Sequence, residues 1–296
     1  MKACAVLSTV LSLLALLPSS PAQDNECGKT TQDEKLIVNG NETKVDLFPW
    51  YVGIYQKNDD AKTYKHICSG TLISNNFVVS AAHCFYDETE NKPYNASNYA
   101  VGAGKHYRSW DAQEQYSQKS LVEYIKLRRR YFGIRGNLAE DIALVKLQMP
   151  LDLNMLVRPI CMDWQNMYDK EQLREGQLGK LVGWDKDITD KLTENLYKVT
   201  MPYVPYRKCR NDVPLEFRGL ITFDKFCAGP MNGSSTCDGY NVSGSGLYFE
   251  KDGTWYLRGV ASVSLQKKDH CDYTSYIAFT RINRYLKWIN YFYVKM

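Results

Sequence analysis

The sequence has 296 residues, of which 44% are hydrophobic and 24% are charged. This composition is ordinary for a globular protein, and the length allows one large domain or two small ones. The net charge of +4 is spread thinly and does not indicate a nucleic-acid-binding protein, whereas the 22 tyrosines fit a β-rich chain.

The first 22 residues differ in character from the rest of the chain. Lys2 gives a positive start, residues 3–18 are almost wholly apolar, and Ser20, Pro21 and Ala22 offer small residues for cleavage. This pattern predicts a secretory signal peptide, residues 1–22, that is cut after Ala22. The alternative is a membrane anchor, but the apolar run is short for a bilayer span. We therefore expect a secreted, extracellular protein without membrane association.

Residues 23–36 are polar, contain only one cysteine and are too few to form a domain. They are predicted to be a propeptide or tethered arm. The ordered domain, residues 37–296, is expected to begin at the sequence Ile37-Val38-Asn39-Gly40.

Within this domain, short apolar runs alternate with turn residues, which favours an all-β sandwich or barrel. A helix is predicted only near the end, over residues 281–292, where apolar residues recur at helical spacing. A change in character near residues 150–164 indicates a linker between two halves, each a small β-barrel, with a site at their junction. The predicted strands are residues 51–55, 71–73, 77–80, 99–101, 142–147, 178–182, 197–203, 246–249, 255–263 and 276–281.

Nine cysteines are present, and Cys4 leaves with the signal peptide. An even number in a secreted chain predicts disulfide bonds. Zinc binding is the alternative, but no Cys-x-x-Cys pair occurs and the four histidines are scattered. The remaining cysteines are Cys27, Cys68, Cys84, Cys161, Cys209, Cys227, Cys237 and Cys271. Sequons for N-glycosylation begin at Asn41, Asn95, Asn232 and Asn241.

Three residues in chain order carry the chemistry. His83 follows a strand-like run and precedes Cys84, so it can be held rigidly as a general base. Asp141 stands directly before an apolar strand and can orient the histidine tautomer. A glycine-rich stretch, residues 236–247, carries a serine between turn residues, which is typical of an exposed nucleophile.

From Ile37 to its end, the chain resembles the chymotrypsin/trypsin-like serine proteases. The matching motifs are Ile37-Val38-Asn39-Gly40, Pro49-Trp50, Ala81-Ala82-His83-Cys84, Asp141-Ile142-Ala143-Leu144, Arg158-Pro159-Ile160-Cys161, Gly183-Trp184, Phe226-Cys227-Ala228-Gly229 and the Cys237 loop. The resemblance implies two perpendicular six-stranded β-barrels with a C-terminal α-helix. It also implies the disulfides Cys68–Cys84, Cys209–Cys227, Cys237–Cys271 and Cys27–Cys161, the last tethering the propeptide.

The resemblance further implies activation by cleavage between Leu36 and Ile37, after which the new ammonium pairs with an Asp before the nucleophile. Leu36 suits a chymotrypsin-like activator or self-cleavage, while cleavage after Lys35 would leave the terminus one residue out of register. The nucleophile loop is two residues longer than the family pattern. Counting back from Leu247 makes Ser243 the nucleophile, and counting forward from Cys237 gives Asn241; we prefer Ser243. On either count the activation Asp is missing, and Val242 precedes the serine.

The resemblance places the oxyanion hole at the backbone N–H groups of Gly239 and Ser243, and Ser235 at the base of the substrate pocket. Ser262, Val263 and Ser264 would form the strand that pairs with substrate, and Ile277 would narrow the pocket, which favours an apolar or aromatic residue before the scissile bond. We expect no cofactor and no metal, since Lys105 stands where the family's calcium loop begins with an acid. The basic run at residues 126–130 is interpreted as a solvated loop rather than an exosite for a polyanion or acidic protein.

Two functions remain. The first is a protease homologue with weak or no peptide-bond hydrolysis and a binding or regulatory role in extracellular proteolysis, which the missing Asp, the insertion and the sequon at Asn241 favour. The second is an active serine endopeptidase that uses His83, Asp141 and Ser243. The expected partners are a protein substrate, a protease-cascade partner or an inhibitor, without nucleic acid, and the chain is expected to be a monomer.

Overall fold

The structure, a computed structural model, describes residues 27–30, 41–42, 47–58, 63–184, 193–229, 242–264 and 275–295. Within these ranges the strands are Asn41–Glu42 (β1), Tyr51–Lys57 (β2), Tyr64–Leu72 (β3), Phe77–Ser80 (β4), Tyr86–Asp87 (β5), Lys92–Pro93 (β6), Tyr99–Ala103 (β7), Gln118–Leu127 (β8), Ala143–Leu147 (β9), Leu178–Gly183 (β10), Tyr197–Val204 (β11), Lys225–Ala228 (β12), Gly246–Lys251 (β13), Thr254–Ser264 (β14) and Ile277–Arg281 (β15). The α-helices are Asp169–Gln172 (α1), Tyr206–Asp212 (α2) and Leu286–Lys295 (α3). Single 3₁₀ turns include Ala82–Phe85, Gly133–Gly136 and Ile282–Arg284.

The first half of the chain closes into an antiparallel barrel with the strand order β2-β3-β4-β9-β8-β7. Its strands are short and rich in β-branched and aromatic residues, and β2 and β4 are almost entirely buried. Closure leaves no unpaired strand edge, since β7 pairs with both β2 and β8.

The second half closes in the same way. Strands β11, β10, β13, β14, β15 and β12 pair in that order, and a further pairing of β11 with β12 completes a six-stranded barrel. The short β1 adds to β11 from outside this barrel. The predicted fold class is therefore confirmed: two closed six-stranded antiparallel barrels with an α-helix at the C-terminal end.

One apolar core fills the first barrel and continues into the second. Trp50 and Trp184 are fully buried in it, together with Tyr248 and Val260 from the second barrel. A separate cluster that includes Val242 fills the second barrel. Because the larger core crosses the junction, the two barrels share buried surface where the active site is expected.

The C-terminal helix is shorter than predicted and begins later. Residues 277–281 belong to β15, and the 3₁₀ turn Ile282–Arg284 separates this strand from α3. Arg281 pairs with Gly259 in the sheet, so strand pairing overrides the helical spacing at this point. The helix buries Ile289 and brings Tyr293 to 5.9 Å from Phe77, centroid to centroid, which packs it on the first barrel.

The sequence prediction missed the short strands β1, β5 and β6, the longer strands β8 and β12, and the helices α1 and α2. Strand β8 buries Ser120 and Val122 and exposes Lys119 and Glu123. Of the two buried residues only Val122 is apolar, so the alternating pattern in the sequence is weak. The interpretation of residues 126–130 as a loop is corrected accordingly, because Lys126 and Leu127 lie in β8.

The described residues contain three disulfides, Cys27–Cys161, Cys68–Cys84 and Cys209–Cys227. Cys237 and Cys271 lie outside the described residues. In the part of the chain that the structure describes, no helix has the length and apolar character needed to cross a bilayer.

Candidate active site

His83 lies in the 3₁₀ turn Ala82–Phe85, immediately after β4. The disulfide between Cys84 and Cys68 ties this turn to β3, and the flanking Ala82 and Phe85 are fully buried. The His83 side chain remains 24% exposed. The turn is therefore rigid, while the imidazole keeps contact with solvent.

Asp141 lies just before β9 and is completely buried. One carboxylate oxygen accepts the backbone N–H of His83 at 2.9 Å, and the other lies 2.8 Å from His83 Nδ1. The second oxygen also accepts the hydroxyl of Ser262 at 2.5 Å. The structure thus brings together the two residues expected to form the base and its orienting acid.

The charges of the pair shift both pKa values. Burial lowers the pKa of His83, but the charge of Asp141 and the hydrogen bond to it raise the pKa by more, so the net shift is upward. Burial raises the pKa of Asp141, but His83, Lys225 and the hydroxyl of Ser262 outweigh it, so the net shift is downward. Each residue therefore favours the charged form of the other.

Ser243 is almost buried, at 6% exposure, and its backbone is fixed to the first barrel. Its carbonyl accepts the N–H of Ser69 at 2.8 Å. Ser69 follows Cys68, whose disulfide reaches Cys84 beside His83. Strand β3 therefore carries the contacts that bring the serine segment to the side of the barrel that bears the histidine.

The glycine after Ser243 is required by the backbone. Gly244 has φ of +79°, and a Cβ there would lie 2.3 Å from both Ser69 O and Ser80 Oγ. Two further hydrogen bonds, from Gly244 N to Ala261 O and from Ala261 N to Ser245 O, join the turn to β14. This close approach explains why the Ser-Gly pair stands at this position.

Val242 precedes Ser243 and is only 1% exposed. It belongs to the apolar cluster of the second barrel with Leu181, Val199 and Phe249. The packing is tight, since a Cβ placed on Gly183 would lie 3.0 Å from Val242 Cγ1. The position before the serine is therefore an apolar one.

The remaining predicted site residues divide into two groups. Ser262 donates its hydroxyl to Asp141, and the predicted pairing of its backbone with a substrate stays a prediction. Ile277 is buried in the apolar cluster, and Ser264 pairs with it across β14 and β15. Six predicted site residues lie outside the described ranges, namely Leu36, Ile37, Asn232, Ser235, Gly239 and Asn241. Of the other two sequon asparagines, Asn95 caps an exposed 3₁₀ turn and Asn41 lies in β1.

Sequence reasoning missed the residues that hold the segment before β9. Asn137, Leu138 and Glu140 all have left-handed backbones, with φ of 55°, 53° and 58°. Such conformations are unfavourable for residues other than glycine and need external support. Two neighbours on the second barrel supply it: Asp224 accepts the N–H of Glu140 at 2.9 Å, and Lys225 donates to the carbonyl of Leu138 at 2.5 Å.

Lys225 is 2% exposed, so its ammonium lies within the protein. Burial lowers its pKa, while Asp224 and Asp141 raise it. Thr280, opposite Lys225 in the sheet, donates to the carbonyl of Asp141 at 2.9 Å. The signal in the sequence was a charged pair, Asp224-Lys225, placed directly before the apolar motif Phe226-Cys227-Ala228.

Lys105 is also buried, at 1% exposure, and its ammonium pairs with Glu114 at 3.0 Å. The other oxygen of Glu114 accepts the N–H of His106. By the resemblance, Lys105 stands where the calcium loop of calcium-binding family members begins with an acid. In the described part of the chain, the one cluster of possible metal ligands is Cys68, His83 and Cys84, and its two sulfurs are joined in a disulfide.

A cleft of about 370 Å³ lies beside the start of β3 and is lined in part by Tyr64, His66, Arg108 and Trp110. Arg108 pairs with Glu194 across it at 2.6 Å. Burial and the charge of Arg108 lower the pKa of His66 to about 3, so this imidazole is neutral near pH 7. The cleft is therefore lined by an uncharged imidazole rather than by an imidazolium.

The comparisons with known proteins agree with this geometry. A family model described as Trypsin matches residues 37–289. Clotting factor C from Tachypleus tridentatus is 30% identical over 278 residues, which cover 90% of this chain and 26% of that protein. A modular serine protease from Drosophila melanogaster is 30% identical over 256 residues, which cover 84% of this chain and 39% of that protein. The chain thus spans about a quarter to two fifths of the length of these relatives.

Proposed function

We propose, since this chain belongs to the trypsin family of serine proteases, that it hydrolyses peptide bonds weakly or not at all and acts by binding other proteins in extracellular proteolysis. Its partners would be a protease of a cascade, a protein substrate held without turnover, or an inhibitor. Two of its relatives are named as clotting factors, which supports a place in a proteolytic cascade.

One observation carries this proposal: Val242 lies in a closed apolar cluster directly before Ser243. In the family, the ammonium freed by cleavage before Ile37 needs a carboxylate at this position. An ammonium that enters an apolar cluster without a partner loses its hydration and gains no ion pair, so its insertion is unfavourable. Cleavage would then fail to form the oxyanion hole of Gly239 and Ser243, and one lost donor alone costs about 2.7–4 kcal/mol of transition-state stabilisation.

A second candidate function is supported by the other half of the site. The contacts of Asp141 with His83 and Ser262 form the arrangement that a general base requires. If the serine segment reaches a catalytic arrangement, the chain is an active endopeptidase that prefers an apolar or aromatic residue before the scissile bond. The burial of Ile277 supports the narrowed pocket in that case.

The proposed organisation is a signal peptide at residues 1–22, a tethered arm at residues 23–36 and a protease domain at residues 37–296. The three disulfides support passage through an oxidising compartment and hence secretion. The bond between Cys27 and Cys161 supports the tether, because it joins the arm to the protease domain.

The test is titration of the serine nucleophile in the cleaved protein. Residues 32–36 are replaced by an enteropeptidase recognition sequence, so that cleavage leaves Ile37 as the new terminus. The cleaved protein is then incubated with a fluorophosphonate probe, and labelled peptides are identified by mass spectrometry. We expect no stoichiometric labelling of Ser243. Stoichiometric labelling that is lost in His83→Ala would overturn the proposal in favour of the endopeptidase.

A further inference from the structure

The cleft beside the start of β3 takes no part in the chemistry described so far, and both halves of the chain build it. Tyr64, Lys65 and His66 line it from the first barrel, and Glu194 lines it from the segment that leads into β11. Its volume of about 370 Å³ lies near the lower end of the range for small-molecule sites. A ligand of about one or two rings would fill such a space.

Arg108 holds one wall of the cleft in place. Its Nε donates to Thr193 O at 3.1 Å, its Nη2 pairs with the Glu194 carboxylate, and its backbone N–H donates to Glu194 O at 2.8 Å. The carbonyl of Arg108 accepts the hydroxyl of the buried Tyr55 at 2.9 Å. The wall is therefore ordered before a ligand binds, which lowers the entropy cost of binding.

Two aromatic rings form another part of the lining. The ring centroids of Tyr64 and Trp110 lie 4.6 Å apart, and Lys119 Nζ lies 4.5 Å from the centroid of Trp110. Both aromatic side chains remain partly exposed. Each combines a flat apolar surface with a polar group, which suits a ligand that has an apolar C–H face and hydroxyl groups at its edge.

The charges in the lining balance. Lys65 and Arg108 supply two positive charges, Asp111 and Glu194 supply two negative ones, and the imidazole of His66 is neutral near pH 7. A charged ligand would therefore find no net attraction in the described lining. The remaining polar groups of the lining can donate as well as accept hydrogen bonds, and they belong to Asn58, Thr63 and Ser109. This combination matches a neutral ligand with several hydroxyl groups.

We propose that this cleft binds a neutral sugar ring, the terminal residue of a glycan carried by a partner protein. The ring packs against Tyr64 and Trp110, and Asp111 accepts a hydrogen bond from a sugar hydroxyl. Tyr64 precedes Ser69 by five residues in β3, about 17 Å along the strand, and Ser69 binds the carbonyl of Ser243. A glycoprotein held by its sugar would thus lie beside the active site. The binding itself does not require the function proposed above, because the cleft contains none of the catalytic residues.

The experiment uses the full chain and the methyl glycosides of glucose, galactose, mannose and N-acetylglucosamine, with binding measured by saturation-transfer NMR. We expect at least one of them to bind with a Kd of about 1 mM, the order of magnitude for so small a ligand. The affinity should be the same at about 50 mM and about 300 mM salt, because a neutral ligand releases no counterions.

Two variants test the lining, and each has a matched control. Asp111→Ala removes an exposed carboxylate from the cleft, and Asp152→Ala removes one from an exposed position elsewhere. Tyr64→Ser removes a ring from the cleft, and Tyr107→Ser removes an exposed ring outside the lining. We expect each test variant to bind at least about fivefold more weakly and each control to stay within about twofold of the native protein. Should Tyr64→Ser fail to fold, the exposed Asp111 still provides the test.

Three results would overturn the proposal. The first is no saturation transfer to any of the four glycosides at about 10 mM. The second is an equal loss of affinity in the test variants and their controls. The third is tighter binding of glucuronate than of the glucose glycoside, with an affinity that falls as salt rises, which would assign the cleft to an anionic ligand. None of these results bears on the labelling of Ser243, so the two proposals fail independently.

Discussion

Asp141 has no exposed surface, yet its carboxylate accepts three hydrogen bonds, two from His83 and one from Ser262. Burial of an unpaired carboxylate would be costly, so these donors are what allow it to stay ionised. His83 gains in turn, because the carboxylate holds the imidazole in one orientation. The base and its orienting acid are therefore in place regardless of the conformation of the serine segment.

Replacing Asp141 by Asn tests this coupling through pH. Since burial lowers the pKa of His83 and only Asp141 raises it strongly, we expect Asp141→Asn to bring the pKa below its ordinary value of 6.5. The measurement is NMR titration of the imidazole Hε1. A pKa unchanged from that of the native protein would contradict the assigned pairing.

The same pair makes stability depend on pH. The folded pKa of His83 lies above its unfolded value, so the stabilisation is complete below about pH 6.5 and is lost as the pH rises through the folded pKa. The folded pKa of Asp141 lies below its unfolded value, so its share is lost as the pH falls through that lower pKa. We expect the free energy of unfolding of the native protein, measured with urea, to exceed that of Asp141→Asn by about 1.5–3 kcal/mol near pH 5.5. Near pH 9 the difference should be smaller.

The substitution Val242→Asp tests the proposal that the serine segment does not respond to cleavage before Ile37. In the uncleaved protein the new carboxylate would be buried without a partner, and we expect a loss of about 3–5 kcal/mol of stability. Cleavage before Ile37 supplies an ammonium, so thermal stability and fluorophosphonate labelling should rise together. Val242→Asn is the control, because its uncharged amide cannot form the ion pair. Stability of Val242→Asp that does not respond to cleavage would contradict this account.

Among the elements, β12 has a role beyond closing the second barrel. Its first residue, Lys225, and the preceding Asp224 hold the segment of left-handed residues that leads to Asp141 on the first barrel. The position of the acid therefore depends on contact between the two barrels. A disturbance of β12 should reach His83 although no residue of that strand touches the imidazole through a hydrogen bond in the described structure.

Lys225→Met and Lys225→Gln test this element. Lys225 lowers the pKa of His83, so removal of its charge in either variant should raise that pKa, as followed by NMR. Met also leaves the carbonyl of Leu138 unpaired and should cost about 1–3 kcal/mol, whereas Gln keeps a donor and should cost less. If Lys225 had only a structural role, Lys225→Met would lower stability, and the pKa of His83 would be unchanged in both variants.

The sequence was sufficient to predict the bounds of a strand that forms a short, continuously buried run between turn residues. Strand β4 begins and ends as predicted, at Phe77 and Ser80, because all four residues are buried and apolar or small. Strand β8 was missed because the polar Ser120 is buried and the apolar Leu121 is exposed, which breaks the alternation in the sequence. Lys225 could not be assigned to the site because its partners, Leu138 and Asp141, are more than eighty residues away in sequence, and only the closed barrels bring them together.

For the whole molecule, the Cys27–Cys161 bond joins residues 134 apart and fixes the N-terminal arm on the surface. Gly28 donates to Pro159 O and accepts from Trp255 N, both at 2.9 Å. Its φ of +62° and a Cβ that would lie 2.4 Å from Trp255 O explain the glycine after the cysteine. The arm is thus attached by both covalent and backbone bonds.

Cleavage before Ile37 should therefore leave the arm bound. Mass spectrometry of cleaved protein is expected to give the mass of the two pieces together without reductant, and the separate arm after reduction. In Cys27→Ser/Cys161→Ser the arm should separate without reductant, and the uncleaved variant should be about 2–5 kcal/mol less stable. An arm that dissociates from the native protein under oxidising conditions would contradict the tether.

The buried pair of Lys105 and Glu114 has a consequence for the fluid around the protein. A bound calcium ion exchanges with its surroundings, so a loop built on it weakens when free calcium falls. An ammonium joined to the chain by its own side chain cannot dissociate, and its local concentration is the same in every medium. The loop from Lys105 to Ser117 should therefore keep its shape in chelator and in plasma-like salt alike, whatever the calcium content of the surrounding fluid.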